Sequence, residues 1–181
     1  DDLEAFAKCA MKVPEGKYFL DKKIAIEAAV FWGLAQYRFN QYKPKPNCPR
    51  ILVLPNSQLK EVVALVESTA VIRTLINTPT EDMGPEHLAH ALDTLSKKHE
   101  ALFSEVVGDD LLTENFPAIH VVGRASHRPP RLLRMRWGKA KNPLICLVGK
   151  GVCFDTGGLD LKPSDGMRNM KKDMGGAAHV I

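Results

Sequence analysis

The sequence predicts an α/β protein in two parts, and three observations predict it. Helical and strand-like segments alternate along residues 77–181, the order that builds a sheet covered by helices. Within that region the unbroken apolar run Leu144-Ile145-Cys146-Leu147-Val148 reads as a strand buried on both faces. A long helical period then separates this region from an earlier, proline-punctuated one. The expected organisation is the C-terminal part of a small N-terminal α/β domain over 1–56, a linking helix over 57–76, and the first part of a larger α/β domain with a mixed sheet between helices over 77–181.

The elements follow in order. Asp21 is placed to cap a helix through Ile24, Ala28, Phe31, Trp32, Ala35 and Phe39, whose apolar positions recur at three- and four-residue steps. It stops before the cluster of Pro44, Pro46 and Pro49. Residues 50–54, Arg-Ile-Leu-Val-Leu, read as a short buried strand. Ser57 opens a second helix through Val62, Val63, Leu65, Val66, Ile72 and Leu75, which closes near Asn77-Thr78-Pro79. At about 18 residues it would be roughly 27 Å long, enough to bridge two domains. A helix over 85–98, a strand over 101–107 and a short helical stretch over 110–115 come next. Residues 131–137 alternate Leu133, Met135 and Trp137 with Arg134 and Arg136, the period of a half-buried strand. Residues 167–181 read as a helix.

Composition narrows the class. A chain of 181 residues with 45% hydrophobic content supplies one ordinary core or two small ones. The 25% charged residues and the absence of low-complexity stretches exclude wholesale disorder. No apolar run approaches the roughly 20 residues of a bilayer span, so no membrane is expected. The opening Asp1-Asp2-Leu3-Glu4 lacks an initiator Met and the layout of a signal peptide, which predicts a chain that begins inside a longer polypeptide. Cys9, Cys48, Cys146 and Cys153 show no paired or metal-finger spacing. Cys146 and Cys153 lie in or beside apolar runs, and both are expected to pack as reduced thiols of a cytoplasmic protein.

The chemistry is concentrated in one segment. It runs Gly149-Lys150-Gly151-Val152-Cys153-Phe154-Asp155-Thr156-Gly157-Gly158-Leu159-Asp160-Leu161-Lys162-Pro163-Ser164 and continues as Asn169-Met170-Lys171-Lys172-Asp173-Met174-Gly175-Gly176-Ala177-Ala178. Lysines and aspartates are interleaved with glycines just past the expected core strand, where open α/β sheets gather their ligand sites. Carboxylate oxygens suit hard or borderline divalent ions such as Mn²⁺ and Zn²⁺. A phosphate-binding P-loop fails because the lysine precedes the glycine pair and no Gly-Lys-Ser/Thr follows the four-residue spacer. A dinucleotide fingerprint fails because Phe154 stands where a third glycine belongs.

This block resembles the leucine (cytosol) aminopeptidases. Gly-Lys-Gly, Phe-Asp-Thr-Gly-Gly, Leu-Lys-Pro and Met-Lys-Lys-Asp-Met-Gly-Gly-Ala-Ala all fall at the family's spacing, with weaker similarity at residues 32–39 and 77–79. The resemblance implies a two-metal aminopeptidase acting on peptides with Leu or another apolar residue first. It implies that Lys150 ligates one metal through its amine, that Asp155 is shared between both metals, and that Asp173 is a further ligand of the lysine-bound one. Lys162 is similar to the catalytic lysine that is not a ligand, and Met170 to a residue lining the pocket for the first side chain. An amine donates to a metal only in its neutral form, so Lys150 requires an adjacent dication. Two divalent ions, Mn or Zn, are the implied cofactors, with bicarbonate in the complete enzyme and a homo-hexamer as the assembly. The family draws two more carboxylate ligands and a bicarbonate-binding arginine from a downstream Asn-Thr-Asp-Ala-Glu-Gly-Arg segment that these 181 residues do not contain. This piece alone is therefore expected to be inactive.

Other features receive plainer readings. Asp160, Asp165, Lys171 and Lys172 are read as exposed charges, and Met170 also suits an ordinary core position. His87 and His90, three apart on a helix, lack a His-Glu-x-x-His pattern and are read as surface or satisfied histidines. Arg124, Arg128, Arg131, Arg134, Arg136, Lys139 and Lys141 form a basic run with no acid among them. A solvated strand face or a subunit contact is the preferred reading. A DNA-binding or architectural protein that keeps the glycine-rich loop as a relic is the alternative, since some bacterial members of the family also bind DNA.

Overall fold

Apolar residues at three- and four-residue spacing start the chain as a helix. In α1 (Leu3–Lys12) Leu3, Phe6, Ala7 and Ala10 share a face, and the Asp2 carboxylate accepts from the Ala5 amide at 3.2 Å to cap it. The computed structural model describes residues 2–44, 46, 48–155, 157–159 and 161–181. It divides into two units, Asp1–Thr74 and Leu75–Ile181.

In the first unit α1 packs on α2 (Ile26–Ala35), with Ala10, Ala28, Ala29 and Trp32 buried. Beyond α2 the chain reaches α3 (Asn56–Asn77). Gly33 of α2 faces Val66 of α3 so closely that a Cβ there would lie 2.6 Å from Val66 Cγ2. Between α1 and α2 lies β1 (Gly16–Tyr18), which pairs in parallel with β2 (Arg50–Leu52), Gly16 opposite Arg50 and Tyr18 opposite Leu52. The Trp32 indole and the Gln36 amide both donate to the Arg50 carbonyl, at 2.8 and 2.9 Å, while the Arg50 amide donates to Gln36 Oε1 at 2.9 Å.

These contacts correct several boundaries. Asp21 does not cap α2: the cap position is Ala25, without a side-chain bond, because a cap must sit beside its own first turn. The helix ends at Ala35 rather than Phe39, where the Gln36 side chain turns to the β2 backbone. Its successor α3 starts at Asn56, one residue before Ser57, and runs 22 residues. Ile51 and Val53 are exposed, so the segment around β2 is not the buried strand expected.

In the second unit α4 (Pro85–Lys98) follows Gly84, whose amide donates to His87 Nδ1 at 3.0 Å. Proline opens the helix, where no intrahelical donor is needed, and Lys97 and Lys98 close it beside the negative end of its dipole. Leu88, Ala89 and Leu92 are its buried face. Strand β3 (Leu102–Val107) pairs antiparallel with β4 (Arg131–Arg136), Leu102 opposite Arg136 and Val107 opposite Arg131. Between them come α5 (Asp110–Thr113), with Leu111 fully buried, and α6 (Pro117–Gly123). After β4 the chain reaches α7 (Ser164–Met167), a 3₁₀ turn at Met170–Lys172, and α8 (Gly175–Val180).

The α/β class holds, with a parallel strand pair in one unit and an antiparallel pair in the other. Three local expectations in the second unit do not. Residues 144–148 pair with no strand among the described residues, and Leu144, Ile145, Leu147 and Val148 are 70–88% exposed. An apolar run becomes a strand only beside a neighbour that takes its backbone hydrogen bonds. Cys146 is exposed for the same reason, whereas Cys153 is buried as expected. Met135 and Trp137 are exposed, so β4 does not bury alternate residues. The single helix expected over 167–181 is three short ones, broken at Arg168-Asn169 and at Asp173-Met174. No helix among the described residues is long and apolar enough to cross a membrane.

Candidate metal centre

Two lysine–carboxylate pairs form in the segment that the sequence singles out. Lys150 Nζ stands 2.9 Å from Asp173 Oδ2, joining the stretch after residue 148 to the turn that precedes α8. Lys162 Nζ pairs with Asp155 Oδ2, joining the two arms of the glycine-rich loop. Lys162 Nζ also lies 3.9 Å from Met170 Sδ, and Met170 is buried at 6% exposure. The Asp173 carboxylate is about three-quarters covered, whereas the Lys150 amine is largely open to water. All five residues singled out for function thus contact at least one other of the set.

Backbone contacts hold these side chains. The Lys150 carbonyl accepts from the Ala177 amide at 2.8 Å, which fastens the Lys150 backbone to α8. The Asp173 amide donates to the Met170 carbonyl at 2.9 Å, so the 3₁₀ turn sets where Asp173 leaves the chain. Ahead of it, the Gly157 carbonyl accepts from the Ala125 amide at 2.8 Å, tying the Asp155 loop to the end of α6. Residues 116–130, where no element is expected, contain α6. Pro117 and Gly123, a proline at a helix start and a glycine at its end, were the available signal.

Cys153 lies in the same loop. Burial pushes its thiol from 9.0 to about 12, with the Glu86 charge raising it further and Arg128 partly offsetting. The loop's reactive-looking thiol is therefore held protonated, as packing rather than as a ligand. Lys171, expected as an exposed charge, is half-buried and donates to the Asn77 carbonyl at 3.3 Å. Asp165 and Lys172 are exposed. Thr156 and Asp160 lie outside the described residues.

Outside this loop the plainer readings find partners. His87 caps α4, and His90 is exposed on the same helix. Three members of the basic run are neutralised from elsewhere in the unit. Arg131 pairs with Glu105 and Arg134 with Glu114, each at 2.7 Å, and Arg128 lies 3.3 Å from Glu86 while donating to the Thr80 and Glu81 carbonyls. Among the described residues no three His, Cys, Asp or Glu side chains gather as a metal group.

Comparison with known proteins finds relatives along nearly the whole chain. The model of the cytosol aminopeptidase family, catalytic domain, matches residues 70–181. Peptidase B of Yersinia pseudotuberculosis is 38% identical over 189 aligned residues, covering 98% of this chain and 43% of the relative. A crystal structure of cytosol aminopeptidase from Coxiella burnetii is 44% identical with a TM-score of 0.90, covering 96% of this chain and 39% of that one. The bottromycin maturation enzyme BotP, solved in complex with Mn, is 30% identical with a TM-score of 0.80, covering 98% and 42%. The chain thus spans about two-fifths of the length of these relatives. On the match over its second unit, and on the lysine–aspartate loop within that match, the chain belongs to the cytosol aminopeptidase family.

Proposed function

We propose that the full-length parent of this chain is a cytoplasmic two-metal aminopeptidase that removes Leu and other apolar first residues from peptides. The observation that carries the reading is the pairing of Lys150 with Asp173 and of Lys162 with Asp155 within one short segment. The donor chemistry fits a divalent ion. An amine nitrogen and a carboxylate oxygen are both donors that Mn²⁺ or Zn²⁺ would accept. Lys150 Nζ and Asp173 Oδ2 are 2.9 Å apart, one nitrogen and one oxygen. Asp155 would be the shared carboxylate, and Mn²⁺ or Zn²⁺ matches this mixed set. BotP, a relative, was solved with Mn.

When bound, a metal pair supplies Lewis acidity toward the scissile carbonyl, an activated water and an anchor for the substrate's free α-amine. The chain's own residues do the rest. Lys162, an ammonium beside Asp155, polarises the scissile carbonyl and stabilises the oxyanion that develops on it. Met170, buried beside Lys162, offers an apolar wall to the first side chain. Two further carboxylate ligands and a bicarbonate site belong to the remainder of the parent, which we propose assembles as a hexamer. The 181 residues alone are expected to be inactive.

The test is hydrolysis of a leucyl anilide with Mn²⁺ by the full-length parent, by its Lys162→Ala variant and by this chain. The parent should turn over. The variant should lose about 10²–10³ in kcat, the scale of removing one oxyanion donor, with two ions still bound. The isolated chain should show no turnover. An inert parent, or full activity in K162A, would refute the reading.

A further inference from the structure

We infer that two backbone-to-backbone clasps, Gly149 against α8 and Gly157 against the end of α6, are the positioning elements of the metal centre, each holding one set of ligands. The inference rests on the two-metal reading above and adds what places its ligands. A Cβ on Gly149 would lie 2.5 Å from the Gly176 carbonyl oxygen, 2.6 Å from Ala177 Cα and 2.7 Å from Ala177 N. All three are backbone atoms, so no rotamer change relieves the overlap. From the other side, a Cβ on Gly176 would lie 2.9 Å from the Lys150 nitrogen. The 2.8 Å bond from the Ala177 amide to the Lys150 carbonyl crosses the same contact. Lys150 is thereby fixed against α8, which begins two residues after Asp173, and the Lys150 and Asp173 side chains meet at 2.9 Å.

The second clasp is separate in the fold. A Cβ on Gly157 would lie 2.7 Å from the Val122 carbonyl oxygen and 2.9 Å from Gly123 Cα, again backbone atoms. The Ala125 amide bonds the Gly157 carbonyl at 2.8 Å across it. Gly157 follows Asp155 by two residues, so this contact sets the loop that carries the shared carboxylate. Absent side chains, rather than added ones, therefore set the ligand geometry. Because Lys150 and Asp173 serve one ion and Asp155 serves both, opening the two clasps has different consequences.

The experiment measures Mn²⁺ stoichiometry and affinity by calorimetry on the full-length parent and on Gly149→Ala, Gly176→Ala, Gly157→Ala and Gly175→Ala. Gly175 neighbours Gly176 on α8, but its Cβ would meet only Ile76 side-chain carbons at 3.5 and 3.9 Å, an ordinary contact. G149A and G176A should weaken one ion by about 10–100-fold, the scale of removing a ligand-orienting contact, and leave the other. G157A should weaken both, and G175A neither. Two ions of unchanged affinity in G149A, or equal losses in G175A and G176A, would overturn the inference while leaving the two-metal reading intact. A wild-type parent that binds no Mn²⁺ would overturn both. Amide exchange in the wild-type protein decides independently of whether any variant folds. The Ala177 and Ala125 amides should be protected, and exchange of either at the rate of an unstructured chain would refute its clasp.

Discussion

Lys150, Asp155, Lys162 and Asp173 are named by the sequence, but their pairing is set by contacts the sequence does not show. Lys150 finds Asp173, 23 positions later, and Lys162 finds Asp155. Charge alone would not dictate this choice, since exposed pairs gain little in water. The backbone contacts at Gly149 and Gly157 instead hold the segments that carry Lys150 and Asp155. Cys153 shows the opposite case, a group with reactive chemistry silenced by burial. Its thiol is raised from 9.0 to about 12. Below pH 9 both folded and unfolded chains keep that proton, and stability has no dependence on it. Between pH 9 and 12 the unfolded chain releases the proton that the folded one holds, so stability falls as pH rises, by about 1.4 kcal/mol per pH unit. Thermal unfolding of the parent should drop more steeply over that window than in Cys153→Ala. Parallel pH profiles would show the thiol to be unburied.

At the scale of elements, local signals were legible where they were self-contained. The helix Pro85–Lys98 carries its own start and stop, proline first and lysines last, and it forms where its period predicts. Segments that need a partner were not legible. Residues 144–148 have the composition of a core strand but, among the described residues, no strand beside them. Short helices pose the same difficulty, since α5 spans only four residues and is held by what it buries. Leu111, its fully buried side chain, is the test. Leu111→Ala in the full-length protein should cost about 2–5 kcal/mol, read from the midpoint of urea unfolding, because the site leaves a cavity. A change under about 0.5 kcal/mol, typical of a surface position, would contradict the burial.

For the whole molecule, the basic run is the feature whose meaning depends most on the fold. Read along the chain, seven cations between Arg124 and Lys141 invite a phosphate backbone. In the fold, Arg128, Arg131 and Arg134 meet Glu86, Glu105 and Glu114. Duplex DNA mixed with the parent at low salt should therefore give no gel shift, and a shift that weakens steeply with added salt would contradict this. The exposed Leu144, Ile145, Leu147 and Val148 point to a second property. This chain alone should raise the fluorescence of an apolar dye such as ANS well above that of the parent, in which we propose these side chains are covered.

What the sequence determined by itself is the chemistry and its place: which residue types lie in the loop, the family they resemble, and the helices that carry their own boundaries. Those follow from spacing and composition, properties a linear chain already has. The tertiary structure alone decided which lysine meets which aspartate, how closely two glycines let backbones approach, and which cysteine is buried. Each of these depends on segments far apart in sequence excluding one another from the same space, and no local pattern encodes that.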